Sequence, residues 1–129
     1  MWSRLQFYWW LRSIESRNWY CKAQPMTITV TVSYPNTPGS KFDMDYYLGT
    51  HLELVGKCWG EKLISARAIK GIATPDPSTP PPYQVVAILQ VESLDVLNDV
   101  LNEHGAEILG DIPNFTDVEP VIQISENLG

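Results

Sequence analysis

At 129 residues the chain is long enough for one domain with a single core and too short for two. Arg4, Arg12, Arg17 and Lys22 face only Glu15 in the first 25 residues, so that stretch carries +3 and the remainder −9 of a net −6. An acidic body lacks the basic footprint that a phosphate backbone requires, which argues against nucleic acid as a partner, and two cysteines, Cys21 and Cys58, without a C-x-x-C pair suit a reduced cytoplasmic setting better than a disulfide scaffold.

Residues 1–25 differ in composition from the rest and hold Trp2, Trp9, Trp10 and Trp19. Arg4, Arg12 and Glu15 interrupt every apolar run before it reaches the roughly 18 residues a membrane span needs, so no membrane partner is expected. A clean apolar stretch followed by a small-residue cleavage site is also missing, which argues against a signal peptide. The segment reads as an extension upstream of a domain covering residues 26–129.

From Thr27 to Tyr34 the residues alternate strictly, Ile28, Val30, Val32 and Tyr34 against Thr27, Thr29, Thr31 and Ser33, the period-2 pattern of a first strand. Pro35 to Gly39 supplies turn residues. Ser40 and Asp43 stand at capping-box spacing, and Asp43 and Asp45 suit the positive end of a helix dipole. The helix then runs to about Gly60, with Met44, Tyr47, His51, Leu54 or Val55, and Cys58 as its apolar stripe; on that stripe Cys58 reads as a small buried hydrophobe. A second strand spans about Leu63 to Ile72. Five prolines between Thr74 and Pro82 exclude helix and central strand, leaving a stiff exposed connector. Tyr83 to Val91 is a third strand, Ser93 an N-cap, and Leu94, Leu97, Leu101, His104 and Ile108 the inward stripe of a second helix. Val118 to Ser125 closes a βαββαβ order, the α+β ferredoxin-like arrangement.

The third strand is apolar on both sides, Val85, Ala87 and Leu89 one way and Val86 and Ile88 the other. Two helices cover one face of a four-stranded sheet. Packing against a twin sheet is the economical way to cover the second, so a homodimer is expected.

For chemistry, His51 and His104 fall on different helices with no partner at metal-ligand spacing, so no metal is expected. No glycine-rich loop follows a strand, so no nicotinamide or flavin cofactor is expected either. His51 on an apolar stripe beside Tyr46 and Tyr47 is the candidate general acid or base, with a tyrosine hydroxyl to bond the oxygen where charge develops. The competing reading is a core histidine bonded to a backbone carbonyl. Asp111, Asn114 and Phe115 share one short connection into the fourth strand and suit either a fold-fixing polar turn or the lip of a ligand pocket, for which Tyr34 and Phe115 offer aromatic walls. His104 is the second histidine candidate, more readily read as structural. The polar strand residues Thr29, Thr31 and Ser33 suggest a wet cavity.

Tyr34-Pro35-Asn36, Phe42 to His51, and Asp111 to Ser125 together resemble the EthD family, named for a component of ethyl tert-butyl ether degradation; the resemblance runs from about Met26 to Ser125. It implies a dimeric α+β barrel, with two sheets facing across a two-fold axis and a small-molecule cavity between sheet and first helix. Related sequences commonly carry Tyr-Leu-x-x-His-Met-Pro-Leu on that helix. Here Tyr47, Leu48 and His51 are retained, whereas Leu52 and Glu53 replace Met and Pro. His104 also matches a histidine seen near this place in related sequences. The resemblance is compatible with an oxidoreductase or monooxygenase type, or an isomerase or cyclase working by cofactor-free acid/base chemistry on a small apolar carbonyl or phenolic metabolite. The alternative is a non-catalytic binding or accessory protein of an oxygenase pathway.

Overall fold

The computed structural model describes residues 27–128, and the tryptophan-rich stretch of residues 1–25 lies outside them. Strand β1 (Ile28–Pro35) leads into helix α1, which is continuous through an α-helical turn Met44–Tyr46, a π-helical stretch Tyr47–His51 and an α-helical stretch Leu52–Trp59. After a 3-10 turn, Gly60–Lys62, come β2 (Leu63–Lys70), β3 (Tyr83–Val91), α2 (Leu94–Asp111), a second 3-10 turn, Ile112–Asn114, and β4 (Val121–Glu126). The sheet order is β2-β3-β1-β4 with every neighbouring pair antiparallel. This is the expected βαββαβ ferredoxin-like fold.

The caps follow from local chemistry. Asp43, not Ser40, caps α1: its carboxylate accepts from the Tyr46 backbone N–H at 3.0 Å. Ser93 caps α2 as expected, accepting from the Val96 backbone N–H at 3.2 Å. Gly60 ends α1 with φ of 54°, a backbone conformation that side chains with a Cβ resist. β2 ends two residues earlier than expected and β4 begins three later, since Asp117 to Pro120 belongs to the connection.

The core lies between one sheet face and the two helices. Ile28 and Val30 of β1, Leu89 and Val91 of β3, Val55 and Trp59 of α1, and Leu97 and Val100 of α2 form one cluster. A second, more aromatic cluster holds Tyr34, Tyr47, Val85, Ile112 and Phe115. The α2 stripe departs from its expectation: Leu94 and Leu101 are exposed while Val100 and Gly105 are buried.

On the other sheet face, pairing brings Thr31 opposite Ile88 and Ser33 opposite Val86 on one side of β3, and Arg67 opposite Ile88 and Ile69 opposite Val86 on the other. Thr29, Thr31 and Ser33 therefore belong to the face turned away from the helices. They do not wet the interior, because the strand's period of two sends them opposite to Val30 and Val32.

Candidate active site

Four residues of α1 are buried at intervals of four, Tyr47, His51, Val55 and Trp59. His51 closes the π-helical stretch, and the next residue's N–H bonds back to the carbonyl of Tyr47. The imidazole is 4% exposed. It packs between Tyr47, nearly parallel at 5.8 Å between centroids, and Phe115, tilted at 4.6 Å.

The backbone carbonyl partner of the competing reading is not what His51 meets. Its Nδ1 lies 2.9 Å from Oδ2 of Asp111, the last residue of α2. The other oxygen, Oδ1, accepts from the Tyr46 hydroxyl at 2.7 Å and from Asn114 Nδ2 at 2.9 Å. Burial pushes the Asp111 carboxyl up, but the hydrogen bonds from Asn114, Tyr46 and His51, together with the imidazole's charge, hold it below its ordinary value. The carboxylate is thus ionised and accepts the Nδ1 proton. That assigns the neutral ring the tautomer whose Nε2 is a free base, and Nε2 has no hydrogen-bond partner among the described residues.

What aims Asp111 at His51 is a stitched connection. Phe42 and Thr116 form an isolated antiparallel bridge, the Asp43 N–H donates to the Phe115 carbonyl at 2.7 Å, the Thr116 hydroxyl to the Lys41 carbonyl at 2.6 Å, and the Lys41 N–H to Asp117 at 2.9 Å. The start of α1 and the end of α2 are thereby locked together.

An apolar cavity of about 70 Å³ lies between the sheet and both helices, lined by Val30, Val32, Tyr34, Ala87 and Leu89 from the sheet, His51, Tyr47, Val55 and Trp59 from α1, and Leu101, Ile108 and Leu109 from α2. Two of these residues carry buried polar atoms with no protein partner among the described residues, Tyr47 Oη and Trp59 Nε1. Burial pushes the Tyr47 hydroxyl up to about 12, so it remains a donor at neutral pH. The cavity adjoins an open surface groove of about 480 Å³ through Leu109, Ile112 and Ile122, which line both.

The sequence-level candidates therefore divide. His51, Tyr46, Asp111 and Asn114 form one hydrogen-bonded group. Tyr46 is committed to Asp111, the bond that chiefly raises its own pKa, so of the two tyrosines Tyr47 is the one that lines the cavity with an unpaired hydroxyl. Tyr34 and Phe115 pack edge to face with each other and with Phe42 at 5.2–5.7 Å, which leaves no slot between them for a planar ligand. Tyr34 alone of the two lines the cavity. His104, expected on the inward stripe, is one-third exposed beside Glu103 and Glu107 and does not line the cavity, because the buried stripe of α2 passes through Val100 and Gly105 instead. Cys58 is partly buried and donates to Glu107 at 3.2 Å; burial, then this bond, pushes its thiol up, which opposes use as a nucleophile. Sequence reasoning missed the His51 to Asp111 pair and Trp59. No helix among the described residues is long and apolar enough to cross a membrane.

No family model and no curated protein matches the chain. Solved structures do. An EthD-like protein from Ralstonia eutropha JMP134 is 38% identical with a TM-score of 0.74, over 78% of this chain and 91% of its own. An EthD family protein from Bacillus halodurans C-125 (12% identity, TM-score 0.56, 80% of this chain and 99% of its own) shares the fold. So does a dimeric ferredoxin-like protein of unknown function from Thermobifida fusca YX (9%, 0.54, 81% and 93%). With 38% identity over nine-tenths of a relative that shares its fold, the chain belongs to the EthD-like proteins.

Proposed function

We propose that this EthD-like protein is a cofactor-independent acid/base enzyme acting on a small, largely apolar carbonyl- or phenol-bearing metabolite. The observation that carries the reading is the Asp111-oriented His51 on the wall of an otherwise apolar cavity, with Nε2 unengaged. In a dry site such a base removes a proton α to a carbonyl, or from a phenol, and holds it at Nε2, while Asp111 stabilises the imidazolium that results. The Tyr47 hydroxyl is the donor for the oxygen on which charge develops. Leaving a buried donor unpaired costs about 1–3 kcal/mol, a cost a ligand oxygen removes. Trp59 Nε1 offers a second donor along the same wall.

The volume limits the substrate. A cavity of about 150 Å³ accommodates benzene, so about 70 Å³ takes only a few heavy atoms unless the walls part at Leu109 and Ile122, which are 48% and 46% exposed. We infer further that the working unit is a homodimer, with a second copy covering the sheet face that carries Ile69, Val86 and Ile88. Support comes from the half-buried apolar centre of that face and from the dimeric ferredoxin-like relative.

Incorporation of deuterium from D2O, followed by NMR over a panel of small ketones and phenols, tests the activity. Exchange well above buffer that falls roughly 100- to 10,000-fold in His51→Gln supports it. A compound bound equally well by wild type and His51→Gln, without exchange in either, favours the non-catalytic accessory role instead.

A further inference from the structure

Away from the cavity lining, Cys58 of α1 meets His104 and Glu107 of α2. One ligand-type atom from each lies within 4.8 Å of the other two. Cys58 Sγ is 3.2 Å from Glu107 Oε1, and His104 Nδ1 is 3.8 Å from the same oxygen. A tetrahedral zinc with bonds of about 2.0–2.3 Å sets its ligand atoms roughly 3.3–3.8 Å apart, so the three donors need only small side-chain adjustments to share one ion. The remaining ring nitrogen, His104 Nε2, stands 3.6 Å from the Glu103 carboxylate. A carboxylate behind the non-ligating nitrogen is the arrangement that orients metal-bound histidines. His104 and Glu107, one helical turn apart, present their donors on one side of α2.

We propose that Cys58, His104 and Glu107 form a site for one thiophilic divalent cation of the zinc class, which clasps α1 to α2 with water as the fourth ligand. Thiolate, imidazole and carboxylate together favour zinc over the hard cations calcium and magnesium, which take all-oxygen shells. The thiol releases its proton to solvent as the metal binds. The ion bridges the two helices that carry His51 and Asp111, but the proposal does not depend on their chemistry.

The test is titration of the full chain with cobalt(II) and then zinc. One equivalent of cobalt per chain with thiolate-to-cobalt near-ultraviolet absorption is expected, displaced by zinc and accompanied by a rise in Tm. Cys58→Ser should abolish the absorption, Glu107→Gln at an exposed position should abolish the Tm rise, and Glu103→Gln should weaken zinc about 10- to 100-fold. Cys21→Ser should change nothing. Absorption that survives Cys58→Ser, absorption lost in Cys21→Ser, or binding well below one equivalent would overturn the assignment.

Discussion

Asp111→Asn tests the dyad most directly, because one change removes the charge at the hub of three hydrogen bonds while keeping the shape. The carboxylate accepts from Tyr46 Oη at 2.7 Å and from Asn114 Nδ2 and His51 Nδ1 at 2.9 Å each. Hydrogen bonds to a charged group contribute about 1.5–3 kcal/mol apiece. Asparagine keeps one acceptor oxygen, and His51 adapts to the new amide N–H by moving its proton to Nε2, so the net loss at neutral pH is about 2–3 kcal/mol rather than the three-bond sum. For a domain of this size each kcal/mol is worth about 4–8 °C in Tm.

The pH dependence is the sharper part. The folded Asp111 pKa lies below its ordinary value, so the native state binds fewer protons than the unfolded chain in the interval between the two. The stabilisation is therefore complete above the ordinary carboxylate value, near 4, and disappears as pH falls through the lowered one. Urea midpoints for wild type and Asp111→Asn, compared at pH 5, 4 and 3, should show a gap that has shrunk at the last, with unchanged slope. A gap that stays level or widens in acid would refute an ionised hub. The variant should also lower turnover about 10,000-fold even where folded, because the adapted tautomer puts the proton on Nε2, where the base is needed.

Tyr47→Phe should lower turnover less than His51→Gln, by about what one hydrogen bond to a developing charge supplies, roughly 100-fold, and should raise stability slightly by removing an unpaired buried hydroxyl; steady-state kinetics and thermal unfolding check the pair. Ile88→Asp should dissociate the proposed dimer into folded monomers, whereas Leu89→Asp, in the helix-side core, should unfold the chain at a cost of several kcal/mol, which sedimentation and circular dichroism distinguish. A chain starting at Met26 should keep its Tm within roughly 8 °C; a larger loss would mean that the tryptophans of residues 1–25 pack on the domain.

The fold was legible because its signals are local. Alternation in β1, the Ser93 cap and the proline run before β3 each act within a few residues, and together they leave one topology. His51 was legible as the polar exception on an apolar stripe. Its partner was not, since Asp111 lies 60 residues away and reaches it only through the bridge between Phe42 and Thr116, a tertiary contact with no periodic trace. The same connection explains why Asp111 and Asn114 read ambiguously as polar turn or pocket lip. They close the turn by means of the bonds that aim the histidine.

Trp59 was missed for a different reason, and the miss exposes how the site is built. With an ideal helical period, Cys58 follows Leu54 or Val55 on the stripe. The residues actually buried are four apart throughout, Tyr47, His51, Val55 and Trp59. At about 100° per residue, each interval of four overshoots a turn by about 40°, and three intervals drift by about 120°, too far for one straight α-helix to bury all four against one sheet face. A π-helical turn holds more residues and takes back part of that drift. Related sequences place a proline two residues after the histidine, and a proline by itself could disturb the helix there. Between Met44 and Trp59 this chain has none. The π stretch coincides with the packing that buries Tyr47 and His51 together with Val55 and Trp59. The same distortion keeps an imidazole 4% exposed yet facing a carboxylate. Irregular backbone at this position thus accompanies the burial of a polar side chain inside an otherwise apolar core.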